Sequence, residues 1–252
     1  MSRRVGSALI AAFGLTLAGC EREAVPVSTA SSRATPVPEA SAAPLPEPVE
    51  SPSPSASAEP SGIAGITYQP QDDCAKAPGW PAFRKSLVSA VRARDGAALA
   101  ALASPDVTLD YGGGSGVGEL QKRLADPDRQ LWAELDALLL LGCAVEGGLA
   151  AMPWVFWNVP DDADSYTAMI VTGSDVPLRD GPKGKELGNV GWFIVNIDPM
   201  AYQPDAKTTP VTLDNGDRGW VETAKLRSLL DYRLIAEPKD DGWQITAFIA
   251  GD

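Results

Sequence analysis

Residues Glu21 to Gly62 cannot form a core, and this divides the chain more firmly than any other feature. Nine of these 42 residues are proline, none is aromatic, and most of the rest are Ala, Ser and Glu. Such a stretch buries too little apolar surface to offset the entropy lost on ordering, so residues 21–62 read as a disordered tether. As a flexible coil it spans about 35 to 40 Å, and as extended polyproline II roughly 130 Å. What can fold lies beyond it. The 190 residues from Ile63 to Asp252 suffice for one sizeable core or two small ones, and all seven tryptophans fall there.

Ahead of the tether, residues 1–20 begin with Arg3 and Arg4, continue through an apolar run from Val5 to Ala18, and end in small residues. That is the layout of a signal peptide. The run is 14 residues long, too short to span a bilayer core that needs about 20 residues of helix. Leu17-Ala18-Gly19-Cys20 resembles the lipobox of bacterial lipoproteins in all four positions. The resemblance implies cleavage before Cys20 and lipidation of that cysteine on its sulfur and its new amino group. More than one acyl chain gives stable anchoring, because each buried CH₂ contributes about 0.8 kcal/mol and a single chain binds only reversibly. In that family Glu21, rather than Asp, after the cysteine implies a periplasm-facing outer-membrane location.

With Cys20 consumed, Cys74 and Cys143 are the remaining cysteines, and an oxidising periplasm favours pairing them. The alternative is a buried small Cys143 after Leu138-Leu139-Leu140-Leu141-Gly142 and an exposed Cys74. Charge narrows the partners. The whole chain carries −12; losing residues 1–20 removes two arginines and no acid, leaving 19 basic against 33 acidic side chains, or −14. A field of that sign opposes nucleic acid and anionic lipid headgroups. It suits cationic groups or simple solubility.

The folding region opens with helical patterns. Pro81 to Arg94 sets Phe83, Leu87, Ala90 and Val91 on one face, Asp95-Gly96 breaks the run, and a short segment covers Ala97 to Ala103. Leu131, Leu135, Leu138 and Leu139, with Trp132 beside them, make a second stripe stopped by Gly142. Between them Val107 to Tyr111 reads as a strand, followed by Gly112-Gly-Gly-Ser-Gly116 and a helix from Val117. A Gly-rich turn into a helix start can cradle phosphate. Here no Gly-Lys-Ser/Thr is present, every G-x-G-x-x-G frame ends on Val117, Glu119 or Gln121, and Glu119 sets negative charge in the first turn. Nucleotide binding is therefore not expected.

From Tyr166 onward short strands alternate with turns. Met169-Ile-Val-Thr-Gly-Ser-Asp-Val-Pro-Leu-Arg-Asp-Gly-Pro182 resembles the opening of bacterial SH3 (SH3b) domains. Leu187 to Ile197 matches their middle strands, and Val211-Thr-Leu-Asp-Asn-Gly-Asp-Arg-Gly-Trp-Val221 their closing hairpin. Asn215-Gly216 suits a hairpin turn, and Gly219 allows close backbone approach. The segment Asn196 to Thr209, with Pro199 and Pro204, is longer and more polar than the family's loop and could reshape a ligand groove. The resemblance implies a small barrel that binds cell-wall peptide or protein. Trp220 reads first as barrel core. With Trp192, Phe193 and Tyr202 it also makes a candidate ligand surface, since aromatic rings give large contact area at small entropy cost.

Leu226 to Ala236 and Gly242 to Asp252 read as two strands joined by a turn at Glu237 to Asp241, with Trp243, Ile245, Ala247 and Ile249 on one face. The Arg-Ser, Asp-Tyr-Arg and Ala-Gly-Asp pieces of this ending resemble a group of uncharacterised SH3-containing bacterial proteins, which brings no activity. A rival reading is that Phe83 to Tyr111 and Tyr232 to Phe248 are similar to the first helices and last strands of NTF2-like cone folds. Catalysis has little to work with. Histidine is absent, which removes Ser-His-Asp and Cys-His arrangements and the commonest metal ligand. The cysteines lack metal or redox spacing, and Asp161-Asp162-Ala163-Asp164 and Asp214-Asn215-Gly216-Asp217 are too short for a calcium loop. A pair of carboxylates acting on a glycan is the one open route.

The expected fold is thus α+β: a mainly helical region at 63–160, an SH3-like barrel at 161–227, and a C-terminal hairpin at 228–252 packing on the helices. The expected protein is noncatalytic, without cofactor or metal, and contacts peptidoglycan or its stem peptides. The alternatives are an adaptor or regulator of an envelope enzyme and a carboxylate-dependent glycan hydrolase.

Overall fold

A computed structural model describes residues 63–240 and 242–251. The expected signal peptide at 1–20 with Cys20, and the expected tether at 21–62, lie outside the described residues. Among these no helix is long and apolar enough to cross a membrane.

The first elements match the apolar spacing closely. Helix α1 (Trp80–Ala93) carries Pro81 in its first turn and buries Trp80, Phe83, Leu87, Ala90 and Val91. It stops at Arg94, whose left-handed backbone lets its N–H reach the Ala90 and Val91 carbonyls. Asp95 then caps α2 (Gly96–Ala100), its carboxylate accepting the Ala97 and Ala98 N–H groups at 3.0 and 2.9 Å. Strand β1 (Ala103–Thr108) precedes α3 (Val117–Ala125) and α4 (Leu131–Leu140), which bury Leu120 and Leu124, and Leu131, Leu135 and Leu138. The strand expected at Val107 to Tyr111 thus begins four residues earlier. It ends at Thr108 because Asp110 turns back, accepting the Gly114 N–H at 2.8 Å and pairing with Arg123. Gly142, past α4, has φ of +74°, and a Cβ there would lie 2.1 Å from the Gln71 carbonyl. No other residue fits that turn.

Strands β2 (Ala144–Glu146) and β3 (Leu149–Met152) come next. A 3₁₀ turn at Trp154–Trp157 leads to β4 (Ala168–Val171), β5 (Pro177–Arg179), β6 (Glu186–Asn189), β7 (Ile194–Asn196), β8 (Thr208–Thr212), β9 (Arg218–Glu222) and β10 (Leu226–Ser228). The chain ends in β11 (Arg233–Lys239) and β12 (Gly242–Ile249). Two sheets result: a five-stranded one ordered β1-β12-β11-β3-β2, and a seven-stranded one ordered β10-β4-β7-β8-β9-β5-β6.

Several expectations are corrected by this arrangement. Besides their helices, residues 63–160 supply three strands of the first sheet where the sequence suggested one, and that sheet is completed by β11 and β12 from the far end of the chain. The strand read from Leu226 to Ala236 is two strands in different sheets. β10 pairs with β4 (Leu226 opposite Val171), and β11 pairs with β3 (Leu234 opposite Met152). The break falls where the Asp231 carboxylate accepts the Ser228 N–H at 3.2 Å. The barrel expected at 161–227 does not close, since β10 and β6 remain the two edges of their sheet. β7 meets β8 through the single pair Asn196–Thr212, and β5 meets β9 through Arg179–Trp220. These short contacts bend the sheet without sealing it.

The alternation expected in β12 also fails, for a local reason. Ala247 lies opposite Ile235 but Ile245 opposite Ala236, so Thr246 is an unpaired extra residue, a β-bulge. One extra residue reverses the facing of the residues beyond it, and Phe248 joins Ile245 in the first core. That core packs Trp80, Phe83, Leu87, Leu120, Leu135 and Leu138 against Leu234, Ile245 and Phe248, so the C-terminal hairpin sits on the helices. Cys74 and Cys143, both fully buried members of this core, are joined in a disulfide with Cα atoms 5.7 Å apart. A second core lies inside the seven-stranded sheet: Met169, Val171, Leu178, Val195, Val211 and Val221. On the opposite face of β4 and β7, Ala168, Ile170 and Ile194 are covered by Val155 and Tyr68.

Candidate functional site

The outer face of β5, β8 and β9 carries a groove. In β9 the inward residues are Gly219 and Val221, so Arg218, Trp220 and Glu222 face out. Trp220 stands directly opposite Pro210 of β8 on one side and Arg179 of β5 on the other. Cross-strand partners share a face, so a half-buried indole lies between a proline and an arginine. Close approach of β5 is what allows this. A Cβ at Gly219 would lie 2.5 Å from the Leu178 side chain and 2.8 Å from the Arg179 carbonyl, so only glycine lets the strands meet there.

Around Trp220 the groove encloses about 440 Å³ and is walled by Asp180, Asn196, Asp198, Pro210 and Arg218. It adjoins a second recess of about 370 Å³ that shares Asn196 and Thr212 and adds Asp162 and Asp214. Four carboxylates therefore line the two recesses together with Arg218. Burial, with the charges of Asp214 and Asp162 next in order, pushes the Tyr68 phenol above its ordinary range. The indole N–H of Trp220 has no hydrogen-bond partner among the described residues, and the ring belongs to none of the buried cores. A flat aromatic platform beside an acidic wall suits a peptide bearing amino groups.

The four sequence candidates do not form one surface. Phe193 is 7% exposed and belongs to the second core, so its ring has no face to offer. Trp192 has a left-handed backbone (φ 63°), gives its indole N–H to the Ser174 hydroxyl at 3.1 Å, and lines a cavity beside Leu140 at the end of α4 and Leu141 just past it. Tyr202 packs on the second core, and burial, with the charge of Asp231 second, raises its phenol. Trp220 alone lines the groove, and its expected first role as barrel core is corrected by its outward position. The loop from 196 to 209 does shape the groove through Asn196 and Asp198, while Met200 at its tip is 93% exposed. Asp180, Asp198 and Arg218 had no signal in the sequence, since acidic and basic residues near turns are common and only the folding of loops over a sheet brings these together.

Metal ligation has one geometric candidate among the described residues, Asp72 with Cys74 and Cys143. Both sulfurs are committed to the disulfide, so the group offers one carboxylate and no thiolate. No family model matches the chain, and no curated protein matches its sequence.

Proposed function

We propose that this chain is a noncatalytic, lipid-anchored cell-envelope protein whose seven-stranded unit is an SH3-like module binding peptidoglycan through its stem peptides. The observation that carries the reading is Trp220, held outward between Pro210 and Arg179 in a groove with Asp180 and Asp198. The connectivity of the unit supports the SH3-like part. Its first strand, β4, pairs with its last, β10, a 3₁₀ turn at Thr223–Lys225 directly precedes that last strand, and the β8–β9 hairpin turns at Asn215-Gly216 with Gly216 at φ +87°. The lipobox at Leu17 to Cys20 and the tether at 21–62 support an anchored protein that reaches the wall from the outer membrane.

Binding is tested by sedimentation of the full chain with purified peptidoglycan. Wild type should pellet with the wall, and Trp220→Ala should weaken binding by about 2 kcal/mol, roughly thirtyfold, as for a central aromatic anchor. A wild-type protein that stays wholly in the supernatant overturns wall binding. Zymography on cell-wall gels tests the noncatalytic part, where clearing would contradict it. Replacing Cys20 with Ala tests the anchor: a variant that remained on the membrane would remove the lipid from the account.

A second reading, an adaptor for a basic envelope protein, is favoured by the same acidic lining of Asp162, Asp180, Asp198 and Asp214. Crosslinking in the living cell separates the two, because an adaptor yields a defined protein partner that Trp220→Ala removes.

A further inference from the structure

We propose that a second, separate site between the two sheets binds a small monocarboxylate through Arg233. Arg233 opens β11 and is 6% exposed. One of its terminal nitrogens donates to the Tyr111 hydroxyl, and the guanidinium lies over the Phe156 ring, 5.1 Å from its centre. No carboxylate among the described residues pairs with it, and its Nε and other terminal nitrogen donate to no group there. A buried guanidinium without a counterion is costly, yet this one is fixed in place by a hydroxyl and an aromatic face.

The cation lines a cavity of about 120 Å³ whose other walls include Val155, Val159, Ile170 and Leu229. An apolar cavity of about 150 Å³ takes a benzene, so the space suits a body of about four carbons carrying one charged group. Arginine's five donors leave four free after Tyr111 takes one, enough for both oxygens of a carboxylate. Asp231 also lines the cavity but is engaged elsewhere. It accepts the Ser228 N–H and faces Arg227, which is itself paired with Glu134 at 3.0 Å. Its negative charge selects among anions: a monoanion satisfies Arg233, while a dianion such as phosphate brings excess charge against Asp231.

The carboxylate can come from a free short-chain acid or from the carboxyl terminus of a peptide ending in a small residue. Calorimetric titration of the full chain in detergent with sodium butyrate, butanol, inorganic phosphate and N-acetylalanylalanine tests the site. Butyrate should bind with a Kd at or below about 1 mM, and butanol and phosphate at least about tenfold more weakly. Stronger binding of N-acetylalanylalanine than of butyrate supports a peptide terminus as the source; the reverse supports a free acid. Arg233→Gln should abolish butyrate binding, with Arg233→Lys restoring part of it. Should Arg233→Gln fail to fold, Val159→Phe, which fills the cavity from a loop and leaves the cation, should also abolish binding. Equal binding of phosphate and butyrate, unchanged binding in Val159→Phe, or no heat with butyrate would each overturn the proposal. Trp220→Ala should leave this binding intact, which keeps the result independent of wall binding.

Discussion

Cutting the Cys74–Cys143 bond should destabilise the fold by about 4 kcal/mol. The bridge closes a loop of 69 residues, and the loop-closure model gives about that value for such a length. In a folded region of this size 1 kcal/mol moves the melting point by about 2 to 4 °C, so reduction should lower it by roughly 8 to 16 °C. The effect acts on the unfolded chain. In the folded state the two ends are already held together, because the Asp73 N–H reaches the Cys143 carbonyl at 2.9 Å and the Cys143 N–H reaches the Gln71 carbonyl at 2.8 Å. Those bonds vanish on unfolding, and only the disulfide then restricts the loop. Tryptophan fluorescence during urea unfolding, with protein reduced under partly denaturing conditions and then returned to native buffer, measures the difference. Reduction is the cleaner perturbation, since Cys74→Ala with Cys143→Ala adds the loss of two buried sulfur atoms. A reduced protein with both thiols alkylatable on unfolding, yet stable to within about 1 kcal/mol of the oxidised form, would refute the reasoning.

Gly142→Ala should cost roughly 2 kcal/mol or more, because it forces a side chain into left-handed backbone and against the Gln71 carbonyl; a lowered urea midpoint at unchanged slope checks it. Asp95→Ala removes the cap of α2 and should cost about 1 kcal/mol, with Asp95→Asn losing much less by the same melt. Burial raises the carboxyl of Asp231, so its folded pKa exceeds its unfolded one, and the folded state keeps the proton longer as pH rises. Stability from this group is present below its unfolded pKa, near pH 4 for an ordinary aspartate, and is lost as pH climbs through the raised folded value. Asp231→Asn, which keeps an acceptor for the Ser228 N–H, should therefore gain stability over wild type on the high-pH side. Equal pH slopes for the two proteins in urea melts would contradict the assignment.

What the sequence reveals about this fold depends on whether the deciding interaction is local. Helix α1 is legible because Phe83, Leu87, Ala90 and Val91 repeat at helical spacing and Asp95 supplies the next cap, all within a few residues. Strands β2 and β3 are not legible. Ala144-Val145-Glu146 and Leu149-Ala150-Ala151-Met152 have little β-branched character, and they extend because Ala150 finds Ala236 across 86 positions of chain. The bulge at Thr246 is equally hidden, since its register is set by β11 and its effect is to reverse the apparent period. For the sites the same division holds. Trp220 could be nominated by type, but Asp180, Asp198 and Arg218 become its neighbours only through loop folding. Arg233 read as an ordinary strand residue, because nothing in its surroundings in sequence marks it as buried without an acid.

The segments that carry the two resemblances fall in different sheets once the path of the chain is traced. Residues Phe83 to Tyr111 and Tyr232 to Phe248, read as similar to the cone fold, supply most of α1, all of α2 and the strands β1, β11 and β12 of the five-stranded sheet. Residues Met169 to Val221, read as similar to SH3b domains, supply the seven-stranded sheet except for its edge strand β10. The chain leaves the first sheet after Met152 and returns at Arg233, and Met152 lies opposite Leu234 across adjacent strands. Exit and re-entry are thus neighbours, the arrangement of an insertion into a host fold. The host sheet cannot be completed before the inserted residues have been passed, because β11 and β12, both C-terminal to them, are the two strands that join β1 to β3. The cavity at Arg233 lies where the chain re-enters the host. It is bounded on one side by the 3₁₀ turn that leaves the host and on the other by Ile170 of the inserted sheet. A ligand held there touches both the exit and the return segments, so occupancy would fix the orientation of the Trp220 groove relative to the five-stranded sheet.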